Sequence, residues 1–274
     1  MENEEDWKDV DEKEGQESGI MLSLYYAATG ALRRLIGLPG AHTFSSSPVW
    51  LLGRVFEPLE ERIQREWSSI IWCSYRSNFS TALHGDRFFS DSGWGCMLRV
   101  CQMQLAEGLK RCCRDLEIRS VVRKFIDVDR PDVCPLGIHQ FIEASRSAGR
   151  WFGPSEISSY AKRIWKPEFL DGVQLHLAHM CSIYRSSILQ KERMILLIPL
   201  QLGVDGIDAV HMPLFKKSLM HPNCIGIAGG KPRSALFFVG FQGIVFESFS
   251  DRAQMIMSCT WILMLSSPRY TKQG

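Results

Sequence analysis

A cysteine is a useful nucleophile only as its thiolate, and one segment of this chain places a cysteine where that form is favoured. The segment is Ser90-Asp91-Ser92-Gly93-Trp94-Gly95-Cys96-Met97-Leu98-Arg99. From Cys96 onward Leu98, Cys101, Leu105, Leu109 and Cys112 recur at i, i+3, i+7, i+11 and i+14, the stripe of a buried helix that starts at Cys96. In a helix's first turn, unpaired N–H groups and the dipole favour an anion, which lowers a thiol's pKa. The same N–H groups can hold the oxyanion formed when sulfur attacks a carbonyl. Gly93 and Gly95 would leave room for a substrate backbone beside the sulfur. On residue types alone, a buried structural cysteine beside two loop glycines reads equally well.

The elements that must position this group mix helix and strand periods. Val49–Gly53 reads as a strand, Glu57–Ser69 as a helix, and Ile70–Cys73 as a short strand. Leu83–Gly95 is a polar loop. Phe141–Ser147 and Ser155–Ile164 read as helices, whereas Leu175–Tyr184 is ambiguous. Met194–Leu200 is a buried strand, Ile207–Leu219 a helix, and Ile225–Ala228 with Ala235–Val239 a strand–turn–strand unit around Gly229-Gly230-Lys231-Pro232. Upstream, Met21–Ile36 reads as an amphipathic helix ended by Gly37-Leu38-Pro39-Gly40. Residues 1–20 are acidic and read as a disordered tail, leaving 21–241 as the folded domain and 243–274 as a weakly patterned tail. The class is α+β or α/β.

Composition narrows the function. The chain has 274 residues, 45% hydrophobic and 23% charged, enough for one large domain with a sizeable core. A net charge of +2 gives no reason to expect nucleic acid. Nine cysteines, an odd number, without a signal-like start imply reduced thiols and a cytoplasmic location. No apolar run approaches the roughly 20 residues that span a bilayer. The Asn78-Phe79-Ser80 sequon is then not expected to carry glycan.

Asp91–Arg99 resembles the nucleophile signature of the autophagins, the autophagy-related cysteine endopeptidases. Further motifs resemble that family in order and spacing: Pro48–Gly53, Trp72 to Phe79 with Tyr75-Arg76, Trp151-Phe152-Gly153-Pro154, Leu202-Gly203, and Ile225 to Gly240. The resemblance runs from about residue 45 to 241. It implies a papain-like α+β fold with a small accessory subdomain. It also implies cleavage of ubiquitin-like autophagy modifiers after a C-terminal glycine, and their release from phosphatidylethanolamine. By the same resemblance Cys96 is the nucleophile, Tyr75 helps the oxyanion hole, and Trp151 belongs to a loop gating the cleft. Packing is the plainer alternative for Tyr75 and Trp151.

The chain departs from the family where the base should be. A thiol protease needs a base and a group to orient it, supplied in this family by an Asp-Pro-His tripeptide after the Gly-Gly-Lys-Pro turn. Here the last histidine is His221, and no such tripeptide occurs. Trp261 is encoded by TGG alone, so Trp261-Ile262 read one nucleotide upstream contains GAT, an Asp codon. With permitted codons, Cys259 to Met264 read Tyr-Leu-Asp-Pro-His in that frame. This points to a frameshifted or truncated C-terminus, through an intron, a splice variant or an error in the gene structure near Gln242–Gln254, with coincidence as the alternative. The C-terminal part of the sheet is accordingly expected to be incomplete. Loss of the base costs on the order of 10⁶ in turnover, which makes a catalytically inactive modifier-binding form the alternative function.

Other signals are weaker. His176 and His179, and Asp208 with His211, sit at i, i+3 but lack a ligand set, so no metal and no cofactor are expected. Gly229-Gly230-Lys231-Pro232 has Pro where a phosphate loop needs Ser or Thr. Cys112-Cys113 reads as helix packing. Trp7-Lys8-Asp9-Val10, after Glu4-Glu5-Asp6, resembles the short aromatic-x-x-aliphatic motif that adds a strand to a ubiquitin-like modifier, making Trp7 and Val10 candidate binding residues. The partners expected are these modifiers and their lipid conjugates, with membrane contact only through lipidated substrate.

Overall fold

A computed structural model describes residues 47–57, 61–84, 87–178, 193–200, 202, 207–231, 234–242, 245–249 and 261–267. The chain divides into two units, Met1–Phe44 and Ser45–Gly274, and all described residues belong to the second. The expected helix Met21–Ile36, the acidic segment with Trp7 and Val10, and His179, Gly203 and Pro232 lie outside the described residues.

The strands are β1 (Val49–Leu51), β2 (Arg54–Phe56), β3 (Gln174–Leu177), β4 (Met194–Leu200), β5 (Cys224–Lys231), β6 (Ser234–Gln242), β7 (Val245–Phe249) and β8 (Trp261–Ser267). The helices are α1 (Glu61–Ser68), α2 (Cys96–Cys112), α3 (Ile118–Arg123), α4 (Ile138–Ser145), α5 (Pro154–Ile164) and α6 (Met212–Met220). Among the described residues the strands form one sheet in the order β2-β1-β6-β5-β8-β4-β3, with β7 also paired to β6. β3 and β4 run parallel; the other pairs are antiparallel, so of the two classes left open by the sequence pattern the chain is α+β, as the family resemblance implies. The expected strand–turn–strand unit is the β5–β6 hairpin, closed at Lys231↔Ser234. Among the described residues no helix is long and apolar enough to cross a membrane.

Helix α2 packs against β4, β5, β6 and β8 of the sheet and against helices α3 and α5. Its predicted stripe is buried, and burial extends all round it: every residue but Lys110 and Arg111 is buried. A helix so enclosed must satisfy its polar side chains internally. Gln104 Nε2 donates to the Gly226 carbonyl on β5 at 3.0 Å, and Gln102 Nε2 to the Leu136 carbonyl at 2.8 Å. Near the C-terminal end, Glu107 pairs with Arg111 Nε at 2.8 Å and with Lys110, which reach the carbonyls of Leu52 (2.9 Å) and Ser69 (2.9 Å). Cys112 Sγ donates to the Met194 carbonyl at 3.6 Å, and Arg193 Nη1 donates to Cys113 Sγ at 3.5 Å, so both thiols serve helix packing. On another side α6 covers β5 and β6 through Phe215 and Leu219, packed with Leu202, Cys224, Ile227, Leu236, Phe238 and Phe241.

Two expectations are corrected. Ile70–Cys73 is not a strand; the chain from 71 to 76 is irregular and held by contacts made farther along. The sheet is also not left open at its C-terminal part. β8 lies between β5 and β4, paired to β4 from Leu200↔Trp261 to Met194↔Ser267 and to β5 at Ala228↔Ile262 and Ile227↔Leu263. The run Trp261-Ile262-Leu263-Met264-Leu265, apolar and part β-branched or aromatic, suits a strand with neighbours on both sides.

Candidate active site

Cys96 is the first residue of α2. The helix is capped by Gly95 without a side-chain acceptor, so its first-turn N–H groups are left for some other partner. Cys96 retains 7% exposure, whereas Met97 and Cys101 behind it are at 0%. Burial pushes the thiols of Cys101 and Cys224 up to about 12 and about 11, which keeps them protonated and inert.

The loop before Cys96 is a turn centred on Asp91. Its carbonyl accepts from Gly95 N at 2.8 Å and Trp94 N at 3.3 Å, and Gly93 takes a left-handed φ of +84° to close it. Nothing lies within 4 Å of where a Gly93 side chain would project. Gly95 differs: a Cβ there would lie 2.6 Å from Asp91 Oδ2. The room at Gly95 is taken by the Asp91 carboxylate rather than by a substrate, a correction to the sequence reading.

Asp91 is fully buried and each of its oxygens has a donor. Oδ1 accepts from Arg76 N at 2.6 Å, and Oδ2 from Arg99 Nε at 2.7 Å. Arg99 Nη1 continues to Gln102 Oε1 (3.0 Å) and Asp127 (2.8 Å), and Asp127 accepts from Ile138 N, the first residue of α4, at 3.2 Å. Burial alone would lower the Arg99 guanidinium, but Asp127 and Asp91 outweigh it and hold it above its ordinary value. Sequence reasoning quoted Asp91 and Arg99 without a role. The available signal was an arginine on a helix otherwise reading as buried, since such a charge demands a partner.

The same turn gathers the other candidates. Tyr75, half-buried, precedes Arg76, whose carbonyl accepts from Asp91 N at 3.2 Å and Ser90 Oγ at 2.9 Å. Trp94 donates from Nε1 to the Ser90 carbonyl at 3.1 Å and packs against Phe88 and Phe152, with centroids 6.0 and 6.4 Å apart. Phe152 is fully buried and follows Trp151, which is half-buried with its indole N–H enclosed and unpartnered. Arg150 stacks on Phe152 at 4.3 Å and donates to the Trp151 carbonyl at 3.1 Å. The segments carrying Cys96, Tyr75 and Trp151 are therefore joined through Asp91 and Trp94; Trp7 and Val10 lie outside the described residues. Of the histidines, His139 is buried, 2.8 Å from the Thr81 carbonyl through Nε2 and edge-on to Phe79, with Nδ1 unpartnered. His211 closes a turn on the Asp208 carbonyl at 2.8 Å, and His176 lies on β3.

A thiol on the first residue of a helix buried against a mixed sheet is the arrangement expected of a papain-like cysteine peptidase. Residues 60–247 match the peptidase C54 catalytic domain, and the chain belongs to that family. Relatives include the cysteine protease ATG4D of Xenopus laevis, 28% identical over 73% of this chain and 59% of that protein. The cysteine protease ATG4A of Gallus gallus is 29% identical over 73% and 65%, and the cysteine protease ATG4B of Xenopus laevis 28% over 73% and 63%. The chain thus spans about three fifths of the length of the curated relatives it matches.

Proposed function

We propose that this chain is a thiol endopeptidase of autophagy, with Cys96 as the nucleophile. Its substrate is the C-terminal tail of a ubiquitin-like autophagy modifier, cut after glycine, or the same tail joined to phosphatidylethanolamine. The observation that carries the reading is the place of Cys96 at the start of α2, beside a turn opened by Gly93. Cys96 gives up its proton and its sulfur attacks the glycine carbonyl. The negative oxygen is held by first-turn N–H groups of α2 with help from Tyr75, and collapse of this intermediate breaks the C–N bond and releases the downstream amine, which takes up a proton. The thioester is then hydrolysed. Trp151 borders the approach, and a narrow glycine tail fits past it where a larger side chain would not. Membership in the peptidase C54 family supports this reading, as do relatives named as cysteine proteases.

One observation favours a second reading for the chain as written. No Asp-Pro-His follows the β5–β6 hairpin, and the last histidine is His221, before β5. Without a base the thiol loses its proton only to solvent, and turnover falls on the order of 10⁶ below a complete triad. The chain then binds the modifier, through the cleft and through Trp7 and Val10, without processing it at a useful rate. The experiment is to incubate the chain with a modifier precursor bearing a C-terminal extension, beside a form with the reading frame restored through Asp-Pro-His. The restored form releases the extension and its Cys96→Ala variant does not, while the chain as written binds precursor but cleaves it barely above background. A restored form unaffected by Cys96→Ala removes the peptidase reading, and rapid cleavage by the chain as written removes the binding-only reading.

A further inference from the structure

We propose that Asp91 is a positioning residue for the nucleophile: its buried carboxylate, shared between the Arg76 backbone and the Arg99 side chain, fixes the first turn of α2 against the Tyr75 segment. The inference rests on the reading of Cys96 as nucleophile.

The geometry is a closed ring that includes the Cys96 backbone. Asp91 precedes Cys96 by one turn of loop and Arg99 follows it by one turn of helix, and the 2.7 Å bond between them closes the ring. Within it, Arg99 N donates to the Gly95 carbonyl at 3.0 Å, the first bond of the helix, and Gly95 N to the Asp91 carbonyl at 2.8 Å. The other carboxylate oxygen faces Arg76 N, so one side chain ties the nucleophile's helix to the segment of Tyr75. The far end of Arg99 is held by Asp127, itself bound to the start of α4, so the ring is fixed to the body of the domain. Gly95 completes the case, since only glycine leaves space for the carboxylate at that point.

Stability alone is a poor account of this arrangement. A buried ion pair is often no more stabilising than well-packed apolar groups, whereas its directed bonds specify geometry. Attack on a carbonyl needs sulfur and oxyanion donors in register, and a misplacement of about 1 Å can cost on the order of 10²-fold in rate. Asp91 is the group that sets this register between Cys96 and Tyr75.

A second ionic cluster, buried Glu107 with half-buried Lys110 and Arg111 near the other end of α2, provides the control. The test compares Asp91→Asn with Glu107→Gln in the full chain. Asn keeps an acceptor for Arg76 N but turns a donor toward Arg99. Two rates are read at Cys96 by peptide mass spectrometry: alkylation by iodoacetamide across pH, and capture by a glycine-ended ubiquitin-like modifier carrying a terminal vinyl electrophile. Both variants are expected to lower the melting temperature. Only Asp91→Asn should change the alkylation profile of Cys96 and slow modifier capture about tenfold or more. Equal effects of the two variants, or an unchanged Cys96 profile in folded Asp91→Asn, would overturn the proposal. If Asp91→Asn does not fold, Arg99→Lys is read the same way, because it keeps the charge and loses the planar fork. If the unaltered chain is alkylated by iodoacetamide but ignores the modifier electrophile, the substrate reading fails, and the alkylation profiles of the two variants still decide the role of Asp91.

Discussion

Glu156 shows how single side chains shape the approach to the thiol. It stands in the first turn of α5, where a negative charge suits the helix dipole, and accepts from Arg150 Nη1 at 3.1 Å and the Tyr160 hydroxyl at 2.9 Å. The hydrogen bond from Arg150 holds its carboxyl below the ordinary carboxylate value, against a smaller opposing effect of burial. Arg150 in turn covers Phe152 and binds the Trp151 carbonyl, so this ion pair braces the loop of the candidate gate. The sign follows from the lowered folded value. The stabilisation is present above the unfolded glutamate pKa, about 4.3, and is lost as pH falls through the folded value. Both partners are over a third exposed, at 43% and 34%, so its size stays below about 1 kcal/mol and shrinks with salt. In a carboxyl NMR titration Glu156 should therefore ionise at lower pH than a free glutamate, and Arg150→Gln should return its midpoint toward the ordinary value. A midpoint unmoved by Arg150→Gln would mean that the brace does not exist in solution.

Among the elements, β1 depends on the closest backbone approach to β6. Leu51 pairs with Gly240, Leu52 N donates to the Val239 carbonyl at 2.6 Å, and a Cβ on Gly240 would lie 2.1 Å from the Trp50 carbonyl oxygen. That neighbour is backbone and cannot swing aside, so Gly240→Ala should cost about 1–3 kcal/mol and lower the urea midpoint. An unchanged midpoint would place β1 elsewhere. What was legible in the sequence follows the same logic of local against distant cause. Met194–Leu200 and the two strands of the hairpin carry their signal in their own branched and apolar residues, and α2 announces itself by its stripe. β2 is three residues long and takes its shape from the turn at Leu52 and Gly53, whose φ values are +46° and +77°. Ile70–Cys73 has strand composition but no strand beside it. Helix α3 has exposed Ile118 and Val122 and buries only Val121 among its residues, so it lacks the usual stripe. At the site, Cys96 was legible because a helix N-terminus is a local feature. The service of Asp91 to Arg76 and Arg99 was not, because it spans separations of 15 and 8 residues that no periodicity encodes.

At the scale of the whole molecule, a strand outside the family match sits in the middle of the sheet. β8 separates β4 from β5, and α2 packs against both β5 and β8, so the floor beneath the nucleophile's helix includes residues outside the family match, which ends at residue 247. A central strand has backbone partners on both sides, and proline there cannot donate to the ladder. Leu263 is paired with Ile198 on β4 and Ile227 on β5. Leu263→Pro should therefore cost at least about 1–3 kcal/mol through the lost backbone bond alone. Forcing β8 out altogether would leave two facing edges unpaired, a state prone to association. The expected result is a lower urea midpoint, with faster hydrogen exchange in β4 and β5 as well as in β8. If Leu263→Pro melts like the unaltered chain and protection in β4 and β5 is unchanged, then β8 does not fill that position, and α2 rests on a floor made only of strands within the family match.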